Sequence, residues 1–100
     1  MANTVKKLAR GAITASEVTQ YTVPSATTAV VTNIVITNTT AAAITATVKF
    51  ATVDVLSAAT VAANGVLALD LKQVLNTTET ITAQASAVGL RLHVSGMEIA

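Results

Sequence analysis

Apolar and polar residues alternate one by one along most of this chain. In Ile44-Thr-Ala-Thr-Val-Lys-Phe50, Ile44, Ala46, Val48 and Phe50 share one side, and Thr45, Thr47 and Lys49 share the other. That is the period of a strand with one buried face. Val18–Val23 alternates likewise and groups Tyr21 and Val23 with Thr19. Further along, Leu67, Leu69 and Leu71 oppose Ala68 and Asp70, and Ile81, Ala83 and Ala85 point inward from Thr80–Ala85. In the last strand Leu90, Leu92 and Val94 point inward and leave Arg91 and His93 outside. Ser95-Gly96 reads as a bulge that reverses the phase and turns Met97 and Ile99 to the core. Ala29–Thr37 is the longest β-branched run and is partly apolar on both sides. It predicts a central strand, or one whose face meets another subunit.

Breakers separate these runs. Pro24 stops the ladder after Val23, since it has no backbone N–H to donate. Asn38-Thr-Thr40 with the alanines after it, and Asn76-Thr-Thr-Glu79, read as connections. Asn64-Gly65 is the dipeptide of a type I′ hairpin. Val53–Val61 is a weaker strand, interrupted by Asp54 and Ser57, and Asp70–Leu75 could close one helical turn instead. Residues 1–10 read as an extended N-terminal arm, with strand character from Leu8, and residues 11–100 as one domain. The spacing predicts an all-β chain, an antiparallel β-sandwich of about seven or eight short strands, for which a jelly-roll or an immunoglobulin-like topology is open.

Composition changes the picture in one respect. Of 100 residues, 52% are hydrophobic but only 2% aromatic, namely Tyr21 and Phe50, with no Trp and no Cys. A small domain without large rings or disulfides is short of core, and oligomerisation is a usual remedy. The hydrophobic content therefore implies a core plus a buried interface, with the face of Val31 and Val35 as the candidate and a homo-oligomer, a trimer for preference, as the expected state. Net charge is +1, yet Lys6, Lys7 and Arg10 are half of the Lys and Arg residues, and no acid precedes Glu17. That run is either a solvated tail or an arm that docks on an acidic partner. No aromatics are interleaved for base stacking, so nucleic acid is not expected as a partner. Apolar runs fall far short of the ~18 residues of a membrane span, and Arg10 and Gly11 stand where an export signal would turn apolar.

Chemistry has little to work with. His93 is the single histidine, and Glu17, Asp54, Asp70, Glu79 and Glu98 are scattered. No phosphate-cradling glycine loop or nucleophile elbow occurs. Threonine pairs such as Thr45/Thr47 and Thr80/Thr82 fit strand-forming side chains that tolerate water. The chain reads as non-enzymatic, with no cofactor and no metal, and as a structural or binding protein.

Four segments carry a family resemblance: Ala15-Ser-Glu-Val-Thr-Gln-Tyr-Thr-Val-Pro24, Thr28-Ala-Val-Val-Thr-Asn-Ile-Val-Ile-Thr-Asn-Thr39, Ala62-Ala-Asn-Gly-Val-Leu-Ala-Leu-Asp-Leu71 and His93-Val-Ser-Gly-Met-Glu-Ile99. With them the chain, from Leu8 onward, resembles small virion structural proteins of tailed bacteriophages. The resemblance implies a β-sandwich building block of the virion, assembled in the bacterial cytoplasm. As a capsid decoration or cement protein it would dock as an oligomer on the major capsid protein, through Lys6, Lys7, Arg10, Val31 and Val35. The alternative is an adaptor of the neck, tail, baseplate or fibre base.

Overall fold

The computed structural model describes residues 3–100. Among these it contains eight strands and no helix: β1 (Asn3–Ile13), β2 (Val18–Thr22), β3 (Thr28–Asn38), β4 (Ile44–Phe50), β5 (Val53–Val61), β6 (Val66–Leu75), β7 (Thr80–Ala85) and β8 (Leu90–Ile99). They form two four-stranded antiparallel sheets, ordered β1-β8-β3-β6 and β2-β7-β4-β5. Strand 1 thus pairs with 8, 2 with 7, 3 with 6 and 4 with 5, as if one long hairpin were folded over itself. That order is a jelly roll. The expected all-β sandwich is present, and of the two open topologies this is the one found.

Between the sheets lie Ile13, Ile34, Ile36, Leu75, Ile81, Leu90 and Leu92, all fully buried. Apart from Phe50, the hydrophobic core is aliphatic, and Asn38 and Thr27 are the buried polar residues. The accessible surface of 5190 Å² is close to the roughly 5,300 Å² that a compact monomer of this mass shows.

Three extra residues cross the first sheet on one line. Leu8 in β1 and Thr32 in β3 each bulge against β8, and Leu71-Lys72 in β6 together oppose Thr32. β8 itself runs straight through and buries Leu90, Leu92, Val94 and Gly96 in one phase. The phase reversal predicted at Ser95-Gly96 therefore falls in the neighbouring strands instead. Met97 and Ile99 stay on the outer face, and Glu98 turns inward. Glycine is required at 96, because a Cβ there would collide with the Val30 carbonyl oxygen and press on Leu8. The Thr32 bulge also separates two residues expected on one docking face: Val31 is a core residue with no exposure, while Val35 lies half-buried on the outside.

The Asn64-Gly65 turn closes through Gly65 N to Ala62 O at 2.9 Å, with Asn64 at φ 54°. It joins β5 in one sheet to β6 in the other, so it arches between sheets and makes no hairpin. The two-residue hairpin turn is Ala51-Thr52, between the paired Phe50 and Val53. Residues 3–10 are extended, but β1 is paired along its length with β8 of its own chain, beginning at Asn3 opposite Ile99. Residues 1 and 2 lie outside the described residues.

Candidate interaction surface

The jelly roll presents two outer faces, and alternation along the strands decides what each carries. On the β2-β7-β4-β5 face the outward positions include Thr19 and Thr22, Thr80 and Thr82, Thr45 and Thr47, and Thr60, with Gln84 and Asp54 beside them. Lys49 joins them and is ion-paired with Glu17 at 3.2 Å. This face is hydroxyl-covered. Its one irregularity is the Thr82 hydroxyl, buried without a hydrogen-bond partner among the described residues.

The β1-β8-β3-β6 face is different in kind. Register places Val5, Met97, Val30 and Val74 side by side in one row across all four strands. Val5 is 80% exposed and Val74 60%. The next row is Lys7, Ser95, Asn33 and Asp70, in which Asn33 Nδ2 donates to the Asp70 carboxylate at 3.1 Å. Then come Arg10, His93, Val35 and Ala68, and beyond them Ala12, Arg91, Thr37 and Val66. Arg10 Nε donates to His93 Nδ1 at 3.1 Å, which makes that ring nitrogen an acceptor. An apolar row thus borders a basic corner built on β1 and β8. At the edge of the same face a shallow groove of about 410 Å³ opens where β6 bulges, lined by Thr32, Asp70, Leu71 and Lys72.

Of the residues expected to bind a partner, Lys7, Arg10 and Val35 come together here. Lys6 does not. It has the inward phase of β1 opposite Gly96, and its ammonium reaches Glu98 at 3.3 Å. Glu98 also accepts a hydrogen bond from the Tyr21 hydroxyl, so the cluster ties β1 and β8 to β2 across the two sheets. The Tyr21 hydrogen bond, with a further contribution from Lys6, lowers the Glu98 pKa, while its partial burial opposes this. Burial, followed by the neighbouring carboxylate, pushes the Tyr21 phenol well above its ordinary value. The cluster locks the end of the sandwich where Asn3 pairs with Ile99.

The sequence singles out none of Val5, Val30 and Val74, and it assigns Met97 to the core rather than to this row. They are far apart along the chain, and only cross-strand register makes them a row. Arg91 and His93 were legible as outward residues, but not as the neighbours of Arg10.

No protein-family model matches this chain, and no curated protein matches it either. The chemistry of the surface is therefore read from its residues. Among those described, no group of three or more His, Asp or Glu side chains could hold a metal ion. The arrangement offers a rigid sheet with one apolar, basic face and one hydroxylated face. Such an arrangement can adhere to another macromolecule by the first face and stay hydrated on the second.

Proposed function

We propose that this protein is a non-enzymatic structural protein of a tailed-bacteriophage virion, and that it decorates the capsid. The residue pattern that resembles such proteins motivates the reading, and the observation that carries it is the difference between the two outer faces. A jelly roll that displays seven threonines on one side and an apolar row on the other has one side to set down and one to leave in water. The molecule is elongated, 45 × 21 × 18 Å, so a long side of it can lie along a lattice in many copies. Docking adds buried area to the shell and so resists the pressure of packed DNA. The partner in this reading is the major capsid protein, and the decorating unit is an oligomer of this chain.

Quantitative mass spectrometry of separated capsids and tails from the particle that carries this protein tests the reading. Hundreds of copies in the capsid fraction are expected. Three, six or twelve copies travelling with tails would replace the decoration role with an adaptor at the neck, tail or baseplate. Absence from both fractions would overturn the virion assignment.

A further inference from the structure

We infer that the outer face of the β1-β8-β3-β6 sheet is the docking face, and that it takes an acidic protein surface bearing its own apolar patch. The inference rests on the virion reading above and names the face and the partner chemistry. Two independent features of the face point the same way.

The first is charge. Four of the five carboxylates are answered internally: Glu17 by Lys49, Glu98 by Lys6 and Tyr21, Glu79 by the Asn76 backbone N–H at 2.7 Å and, on this face, Asp70 by Asn33. That leaves Asp54, on the other sheet, without a partner among the described residues. Lys7, Arg10 and Arg91 have no carboxylate partner among the described residues and all three are exposed, as is Lys72 on the edge strand β6. Arg10 is hydrogen-bonded to His93 and to no carboxylate. On a chain of net charge +1, this corner concentrates the basic charge. Cations held on two paired strands are in fixed positions, so they select a complementary pattern of carboxylates rather than just any anion.

The second feature is the apolar row. Val5, Met97, Val30 and Val74 run the width of the sheet next to the cations. A phosphate backbone gains nothing from such a row, whereas a protein surface with apolar side chains among its acids buries it. A second copy of this chain fits poorly. Face to face, it would bring both sets of Lys7, Arg10 and Arg91 into one interface that holds only the two Asp70 carboxylates. Sheet extension is also discouraged, because every edge strand is bulged: β1 at Leu8, β6 at Leu71-Lys72, β2 at Gln20, and β5 at Val55 and again at Ser57-Ala58. Docking through a face remains.

The test is reconstitution on DNA-free shells of the particle that carries the protein, stripped of it and then titrated with the purified full chain. Four proteins are compared: wild type, K7E/R10E/R91E, V5S/V74S and T22E/T60E. All the changed positions are exposed, and circular dichroism checks that each variant is folded. Charge reversal is expected to weaken binding at least about 100-fold, and V5S/V74S about tenfold or more. Raised salt should weaken wild-type binding, while T22E/T60E, with two acids on the hydroxylated face, should bind as wild type does. Undiminished binding by the first two variants, or loss only in T22E/T60E, would overturn the face while leaving the virion reading intact. Equal binding to a double-stranded DNA fragment, indifferent to V5S/V74S, would overturn the protein partner. If wild type binds neither shells nor DNA, the capsid-decoration reading falls, and this inference with it.

Discussion

Ala51 and Thr52 form the two-residue hairpin between β4 and β5 with φ of 52° and 67°. Left-handed backbone costs a residue with a Cβ about 1 kcal/mol or more, and β-branched threonine suffers most. The turn geometry matches the twist of the strands, so the fold imposes it on residues that do not favour it. A51N/T52G is expected to stabilise the protein by about 1–2 kcal/mol, read as a higher midpoint in urea at unchanged slope. A lower midpoint would show that the Thr52 side chain contributes something the backbone argument omits. Glu98 supplies a second residue-scale expectation. Its pKa is lowered in the folded protein, by Tyr21 first and Lys6 second. Its contribution is therefore present above the unfolded-state carboxylate value and lost as pH falls through the folded value. Tyr21 acts at the other end: its phenol is raised on folding, so its contribution holds below the unfolded-state value and fades as pH climbs past it. E98Q should flatten the acid limb of the stability profile, and a limb as steep as wild type would assign acid unfolding to other carboxylates.

Strand β1 shows how an element is legible in part. Its sequence reads as a basic arm because Lys6, Lys7 and Arg10 crowd within five residues of it, and no local pattern says which strand they will pair with. The structure gives β8 as the partner, and the Leu8 bulge lets consecutive Leu8 and Ala9 both turn into the core. Deleting residues 2–10 therefore removes core as well as charge. Losing a buried leucine alone costs about 2–5 kcal/mol, and β8 would be left with a bare edge. The truncated protein is expected to be unfolded or aggregated, whereas removal of residues 2–5 should leave the near-ultraviolet and amide spectra of a folded sheet. A folded, monomeric deletion through residue 10 would show β1 to be a dispensable arm after all. The same logic explains what else sequence reading gained and lost. Alternation gave most inward and outward sets correctly, because period two is local. The reversals at Leu8 and Thr32 are not legible, and the one expected in β8 belongs to these neighbours, because a bulge is defined against a partner strand. Asn64-Gly65 has the chemistry of a hairpin turn, yet whether a turn stays in one sheet or arches to the other depends on which strands its flanks pair with.

At the scale of the whole molecule, the jelly roll makes its first and last strands neighbours. Asn3 opposite Ile99 and Ile13 opposite Leu90 are pairings that close nearly the entire chain as a loop. Topologies dominated by such distant pairings fold slowly, in milliseconds to seconds, because loop-closure entropy is lost before the contacts form. Asn3 lies opposite Ile99 at one end of the sandwich, so a circular permutant can test this directly. A short linker from Ala100 to Asn3, with new ends between the exposed Ala87 and Val88, turns β8 and β1 into a local hairpin without altering any strand. Each halving of a closed loop saves roughly 0.6 kcal/mol. About three halvings separate the natural β1–β8 loop from a hairpin, so refolding should accelerate by up to roughly 20-fold if that pairing belongs to the folding nucleus. Stopped-flow refolding of the permutant and the parent, at matched urea, supplies the comparison. An unchanged refolding rate with an intact native spectrum would place the nucleus in the inner pairs, β3 with β6 and β4 with β5, with β1 and β8 closing over it last.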